Sequence, residues 1–242
     1  MTTSARPSPR PERPSRWQPV LETGRGALIV LAVATLIWFL LRYTLLAESF
    51  AWALPYGGKT AWYLTRSTGV VAYLFLTGST MWGILLSTKY VREQVPAPVS
   101  LEMHRLLSWL TAAWSATHAF LLLFDTYYVY TLRDLLVPFV GPYRPIDVAW
   151  GIIALYVLVL VNVSFGWRQL IGANTWRRVH YLTFVVFGMV TWHGWAAGTD
   201  TSLMGMRLLY GGSTAVVLFL TNYRIITAVQ AKRTAASAPA RP

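Results

Sequence analysis

Residues 176–195 read WRRVHYLTFVVFGMVTWHGW, an apolar run that opens with two arginines and is long enough to cross a bilayer. This run carries His180 near one end and His193 near the other. An ionisable side chain at membrane depth is costly and by default indicates a functional site. The stretch therefore predicts a membrane helix with two functional histidines, 13 residues apart.

The composition of the whole chain is that of an integral membrane protein. Its 242 residues are 55% hydrophobic and only 12% charged, about half the charged share of a typical soluble domain. The chain has no cysteine, which excludes disulfides, iron–sulfur clusters, thiolate-ligated heme and cysteine zinc sites. Any metal or cofactor must therefore be held by other side chains or by backbone groups.

Six apolar segments each have roughly the 17–25 residues needed to cross the hydrocarbon core. The segments are residues 27–46, 69–88, 103–124, 147–165, 178–196 and 205–222. We expect an all-α integral membrane six-helix bundle over residues 27–225. Residues 1–26 are rich in Pro, Arg and Ser, and predict a disordered tail rather than a cleavable signal peptide. Residues 226–242 form a second basic tail, and residues 50–66 predict an interfacial loop.

The distribution of positive charge predicts the orientation of this bundle. Fifteen of the 21 lysines and arginines lie in the N-terminal tail, in the loops at 89–105 and 166–178, and in the C-terminal stretch from Arg224 onward. By the positive-inside rule these segments face the cytoplasm, so we expect both termini there. The prediction is a multi-pass protein of the plasma membrane, here a bacterial inner membrane. The net charge of +12 then indicates contact with anionic membrane lipid and argues against nucleic acid as a partner.

All four histidines fall in two of the predicted helices. His104 and His118 lie in the third helix, and His180 and His193 lie in the fifth. Both helices run outward from the cytoplasm, so His104 and His180 share one depth and His118 and His193 share another, about 20 Å away. Two histidines at each of two levels is the arrangement that holds two b-type hemes between helices.

Three arginines beside the cytoplasmic pair are candidates for binding the anionic propionates of the inner heme. They are Arg105, Arg177 and Arg178. No catalytic side chain is indicated. A non-heme metal is less favoured, because each level has two nitrogens and no nearby carboxylate. A structural alternative is that the histidines only form hydrogen bonds across helix interfaces.

The spacing in the fifth helix does not fit a straight helix. Fourteen residues return His118 to within about 40° of the face of His104, whereas thirteen leave His193 about 140° from the face of His180. Either the two hemes lie at different angles around this helix, or the helix bends, for example near Gly188.

Several stretches carry a resemblance to a known family. They are the two histidine spacings, HRLL at 104–107, WRRVHYL at 176–182 and WYLTRSTGVVAYLFLTGSTMWGILL at 62–86. On these motifs the chain resembles, over about residues 60–222, the ferric reductase-like transmembrane domain. This domain is the six-helix heme core shared by ferric reductases and NADPH oxidases.

The resemblance implies heme-iron ligation by the pairs His104–His180 and His118–His193, and it implies that the fold accommodates the 13-residue spacing. The chain is also similar to the heme-binding membrane subunit of the periplasmic methionine sulfoxide reductase system, which usually has arginine at the position of His104. The histidine here favours two hemes over that role. Large eukaryotic members carry a flavin and nicotinamide domain after the sixth helix, so we expect any flavin on a separate protein.

The sequence thus predicts a diheme b-type cytochrome, an oxidoreductase component that carries electrons across the membrane. The donor would be a cytoplasmic flavoprotein or a quinol, and the acceptor would be ferric iron, oxygen or an extracytoplasmic partner reductase. One alternative is the electron-supply subunit of a periplasmic reductase system. Another is a heme-free transporter or proton pathway with histidine relays. The long outer connection at 125–147 would form either a docking surface or a lid.

Overall fold

The computed structural model describes residues 60–88, 93–125 and 127–237, and every regular element in these ranges is helical. Short 3₁₀ turns at Leu122–Phe124 and Thr199–Ser202 follow the second and seventh helices. The all-α prediction is confirmed for this part of the chain. The helices are α1 Thr60–Leu86, α2 Ala97–Leu121, α3 Leu132–Leu136, α4 Pro145–Ser164, α5 Arg168–Ile171, α6 Ala173–His180, α7 Leu182–Ala197 and α8 Met204–Ser237.

Four of these helices are long and apolar enough to cross a membrane. They are α1, α2 with its 3₁₀ turn, α4, and α8 over Met204–Ala231. They contain most of the predicted segments 69–88, 103–124, 147–165 and 205–222. The first predicted segment, 27–46, and the tail before it lie outside the described residues. The architecture is compatible with a multi-pass membrane protein, and six spans with cytoplasmic termini remain a prediction.

The fifth predicted segment, 178–196, is helical but interrupted directly after His180. There α6 ends, Tyr181 forms a turn, and α7 continues for 16 residues, about 24 Å. The Phe184 amide donates to the Tyr181 carbonyl at 3.1 Å, an i→i+3 bond that tightens the chain. The interruption thus lies at Tyr181, whereas Gly188 lies inside the continuous α7. Tyr181 keeps helical dihedral angles, φ −64° and ψ −17°, and its amide donates to the Arg177 carbonyl at 3.1 Å, so the helix tightens locally at this residue.

Two other boundaries differ from the sequence prediction. α1 begins at Thr60, so the expectation of a loop is wrong for residues 60–66. These residues contain neither proline nor glycine, which allows the helix to start earlier; residues 50–59 lie outside the described residues. α8 extends to Ser237, because the alanine-rich residues 226–237 have high helix propensity and continue the last helix.

The helices pack into one core around Tyr73 of α1, which is 3% exposed. Its hydroxyl lies 2.5 Å from Oγ of Ser213 on α8 and 3.2 Å from Oγ1 of Thr191 on α7, so one phenol links three helices. In contrast, the outer face of α8 is apolar and open, with Phe219 68% exposed and Ile225 56% exposed. Apolar surface of this kind suits contact with lipid. The buried core residues are Tyr73, Leu76, Ile84, Ala154, Leu158, Val186, Phe187, Tyr210 and Val217.

The long outer connection is partly ordered by the short helix α3. A capping box begins this helix, since the Thr131 hydroxyl and amide both donate to the Asp134 carboxylate, at 2.7 and 2.8 Å. These hydrogen bonds lower the pKa of Asp134. Next to the cap, burial, reinforced by the charge of Asp125, raises the pKa of Tyr130 to about 12. The Tyr143 hydroxyl donates to the carbonyl of Ala197 at 3.1 Å and ties the connection to the end of α7.

Candidate functional site

The four histidines meet as two pairs between the helices. The ring centroids of His104 and His180 lie 5.9 Å apart with their planes crossed at 80°, and those of His118 and His193 lie 6.2 Å apart at 74°. Fourteen residues of α2 separate the pairs, about 21 Å. The structure therefore brings together the same pairs that depth in the membrane predicted, and we call them the inner pair and the outer pair.

The two histidines of α2 each pack against a glycine of the antiparallel α1. A Cβ added to Gly69 would lie 2.9 Å from Nδ1 of His118, and a Cβ added to Gly83 would lie 3.0 Å from Cε1 of His104. The two glycines are 14 residues apart, as are the two histidines. One antiparallel register therefore creates both contacts, and a larger residue at either glycine would displace an imidazole.

The same contact recurs between α4 and α7. A Cβ added to Gly151 would lie 3.0 Å from three ring atoms of His193. Three of the four histidines thus occupy space that a glycine leaves open on a neighbouring helix. Sequence reasoning did not select these glycines, although the shared 14-residue spacing in α1 and α2 is a signal that could have been read.

Main-chain carbonyls near two of these glycines determine which ring nitrogen of the outer pair is free. Nδ1 of His118 lies 2.8 Å from the Thr65 carbonyl oxygen, and Nδ1 of His193 lies 2.9 Å from the Asp147 carbonyl oxygen. A carbonyl oxygen can only accept a hydrogen bond, so each Nδ1 carries the proton. Each Nε2 therefore keeps its lone pair, which is the tautomer that binds a metal through Nε2.

The inner pair is held differently. Nδ1 of His104 lies 3.4 Å from the hydroxyl of Ser79, which lies 2.9 Å from the hydroxyl of Ser108. The His180 ring stacks on Trp176, one turn earlier in α6, with centroids 5.2 Å apart and planes 23° apart. Within the described ranges, no hydrogen bond to the His180 ring is found. Its orientation therefore depends on stacking.

A cavity of about 850 Å³ adjoins the inner pair, within the roughly 300–1,000 Å³ of cofactor and ligand sites. Its lining is mostly apolar, comes from six helices and includes Arg105, Arg177 and Arg224. Of the predicted arginines, Arg178 is exposed and is not part of the lining. Arg224 was not selected, because its contact with this cavity depends on how α8 packs.

The donor set suits axial ligation better than a metal site built from protein alone. Within the described residues, no group of three or more His, Asp or Glu side chains could hold a metal ion. A metal–imidazole bond of about 2 Å, with the nitrogen about 1 Å from the ring centre, places two axial rings roughly 6 Å apart. The observed separations of 5.9 and 6.2 Å fit this value. By the distance between its rings, each pair could hold a planar macrocycle with one imidazole on each face.

Comparisons of the chain with protein-family models, with curated proteins and with solved structures find no match. The fold defines the class as an all-helical protein, in its described part, with four helices able to span a membrane. Two crossed histidine pairs lie between these helices, and the inner pair adjoins a basic, mostly apolar cavity.

Proposed function

We propose that this protein is a diheme b-type cytochrome that carries electrons across a membrane. The observation that supports it most directly is the meeting of all four histidines in two pairs with ring separations of 5.9 and 6.2 Å. The resemblance to ferric reductase-like transmembrane domains favours the same pairs. This function requires two stacked cofactor sites, and about 21 Å along α2 separates the pairs.

The chain's own residues prepare both sites for heme b. His104 and His180 would hold the inner heme, and His118 and His193 would hold the outer one. Bis-imidazole iron supplies one-electron chemistry when it is bound. The main-chain carbonyls keep Nε2 of the outer histidines unprotonated, and the mostly apolar lining of the inner cavity suits the apolar ring of heme b.

The direction of electron flow follows from the predicted topology. We propose that a separate flavoprotein or a quinol donates electrons to the inner pair, and that ferric iron, oxygen or a partner reductase accepts them outside. The basic loops at 89–105 and 166–178 flank the inner pair and support a cytoplasmic location for it. We assign no catalytic side chain, because the chemistry proposed is electron transfer alone.

The heme-free alternative is less well supported by the hydrogen bonds. A histidine relay must pass protons through both ring nitrogens to further titratable groups or water. Nδ1 of His118 and of His193 instead donates to a main-chain carbonyl, which cannot pass the proton on. The bonds therefore favour a ligand role.

Heme content of the purified protein tests the proposal. We expect a Soret band, an α band on reduction with dithionite, and two hemes per polypeptide. His104→Leu and His118→Leu should each reduce the count to one, and the double variant should bind none. Thr117→Val, on an exposed residue beside His118, is the matched control and should keep two hemes.

Two results would contradict the proposal in different ways. A colourless wild-type protein would overturn heme binding and favour the histidine relay, whereas a single heme would overturn only the diheme claim. The electron-supply alternative would be favoured if an extracytoplasmic reductase copurified and the chain alone reduced no ferric chelate.

A further inference from the structure

Two buried hydrogen-bond donors, each on a residue that lines the inner cavity, have no partner among the described residues. They are Nδ2 of Asn162, near the end of α4, and Nε1 of Trp176, in α6. Buried donors in native proteins are nearly always paired, because an unpaired one loses its hydrogen bonds to water. The two groups therefore indicate that the occupant of this cavity carries oxygen acceptors.

The charge of the lining indicates that these acceptors are anionic. The described lining includes three arginines and no aspartate or glutamate. Arg105 pairs with Glu102, and Arg177 donates to Asn174, both at the surface. Arg224 is half-buried, and within the described part of the chain no ion pair or hydrogen bond is found for its guanidinium group. A guanidinium group that is partly removed from water is stabilised by a carboxylate or a similar anion.

We propose that Asn162, Trp176 and Arg224 bind the carboxylates of the inner heme and so set its orientation. This inference rests on the proposed function and deepens it. Heme b combines an apolar ring with two carboxylates, and the cavity combines apolar walls with these three donors. The donors come from α4, α6 and α8, so the set exists only when these three helices are assembled.

Trp176 makes two contacts that substitutions can separate. Its indole stacks on His180, while its N–H is the unpaired donor. Trp176→Phe keeps an aromatic face against His180 and removes the donor, whereas Trp176→Leu removes both. Trp176→Phe should therefore weaken only the binding of the heme carboxylates. Trp176→Leu should also weaken low-spin ligation of the heme iron by His180.

The experiment compares heme b with heme dimethyl ester, in which both carboxylates are esterified. Protein from a heme-deficient host is titrated with each compound in a His118→Leu background, where only the inner site remains. The wild-type inner site should prefer heme b. Trp176→Phe, Asn162→Leu and Arg224→Gln should each reduce this preference by about tenfold. Trp167→Phe is the control, since Trp167 is 39% exposed and is not among the residues that line the cavity.

A second measurement keeps the result interpretable. Each variant is also made with His118 intact, so that the outer heme reports folding. The inference is overturned if the folded variants keep the wild-type preference for heme b over its ester, and the proposed function then stands. If the wild-type protein binds neither compound, the proposed function itself fails.

Discussion

A Cβ added to Gly69 would lie 2.9 Å from Nδ1 of His118, so the imidazole occupies the space that a side chain of α1 would otherwise fill. The hydrogen bond from the same nitrogen to the Thr65 carbonyl holds the ring in that space. Close approach of a side chain to a helix backbone is a common use of glycine in membrane helices. The glycine therefore helps to set the position of the imidazole.

Gly69→Ala should displace His118 and remove the outer heme, and Gly83→Ala should disturb His104 and the inner heme. The added methyl carbon would lie 2.9 or 3.0 Å from the nearest ring atom, which is closer than van der Waals contact. The helix itself would tolerate alanine well. Heme per polypeptide and the low-spin spectrum measure the effect. Gly78→Ala is the control on the same helix, because nothing lies within 4 Å of a Cβ there. Equal heme loss in all three variants would contradict the steric explanation.

Tyr73→Phe should lower the thermal stability of the protein without changing its heme content. The substitution keeps the ring against Phe187 but removes the hydroxyl that contacts Ser213 and Thr191. Loss of such a hydrogen bond costs about 1 kcal/mol, which lowers Tm by about 2–4 °C for a chain of this size. Tyr223→Phe is the control, since Tyr223 is 49% exposed on α8. An equal loss of stability in the control would refute the role of the three-helix link.

Acidification should destabilise α3 through Asp134. Its pKa is lowered from 3.8 by hydrogen bonds from Thr131, so the ionised carboxylate stabilises the folded cap fully above that value. The stabilisation is lost as the pH falls through the lower folded pKa. Amide exchange of residues 132–136, corrected for intrinsic rates, should therefore accelerate at acidic pH. Asp134→Asn should remove this dependence, and an unchanged pH profile in that variant would exclude the carboxylate as its source.

Reporter fusions test the predicted orientation. Green fluorescent protein fused to the C-terminus should fluoresce, because it folds poorly when exported through the membrane unfolded. Alkaline phosphatase inserted in the outer connection, near residues 138–141, should be active because that connection is expected outside. The reverse pattern would invert the membrane topology and would exchange the proposed donor and acceptor sides.

Three residues of the inner cavity could not be identified as site residues from the sequence alone. Arg224 falls in the basic C-terminal region and served there only as a topology signal, yet it lines the inner cavity. Trp176 and Asn162 look like ordinary residues of apolar segments, and their unpaired donors are visible only when the helices are assembled. The tightened turn at Tyr181 has no proline or glycine beside it that would mark it in the sequence.

The sequence by itself determined the helical class, four of the segments that can span a membrane, and the pairing of histidines by depth. These properties follow from apolar length and from the 1.5 Å rise per residue, which are both local. Only the tertiary structure decided the rotation of each helix, the glycines that three of the imidazoles contact and the ring nitrogen that remains free in the outer pair. Depth depends on one helix, whereas rotation and register depend on the packing of its neighbours.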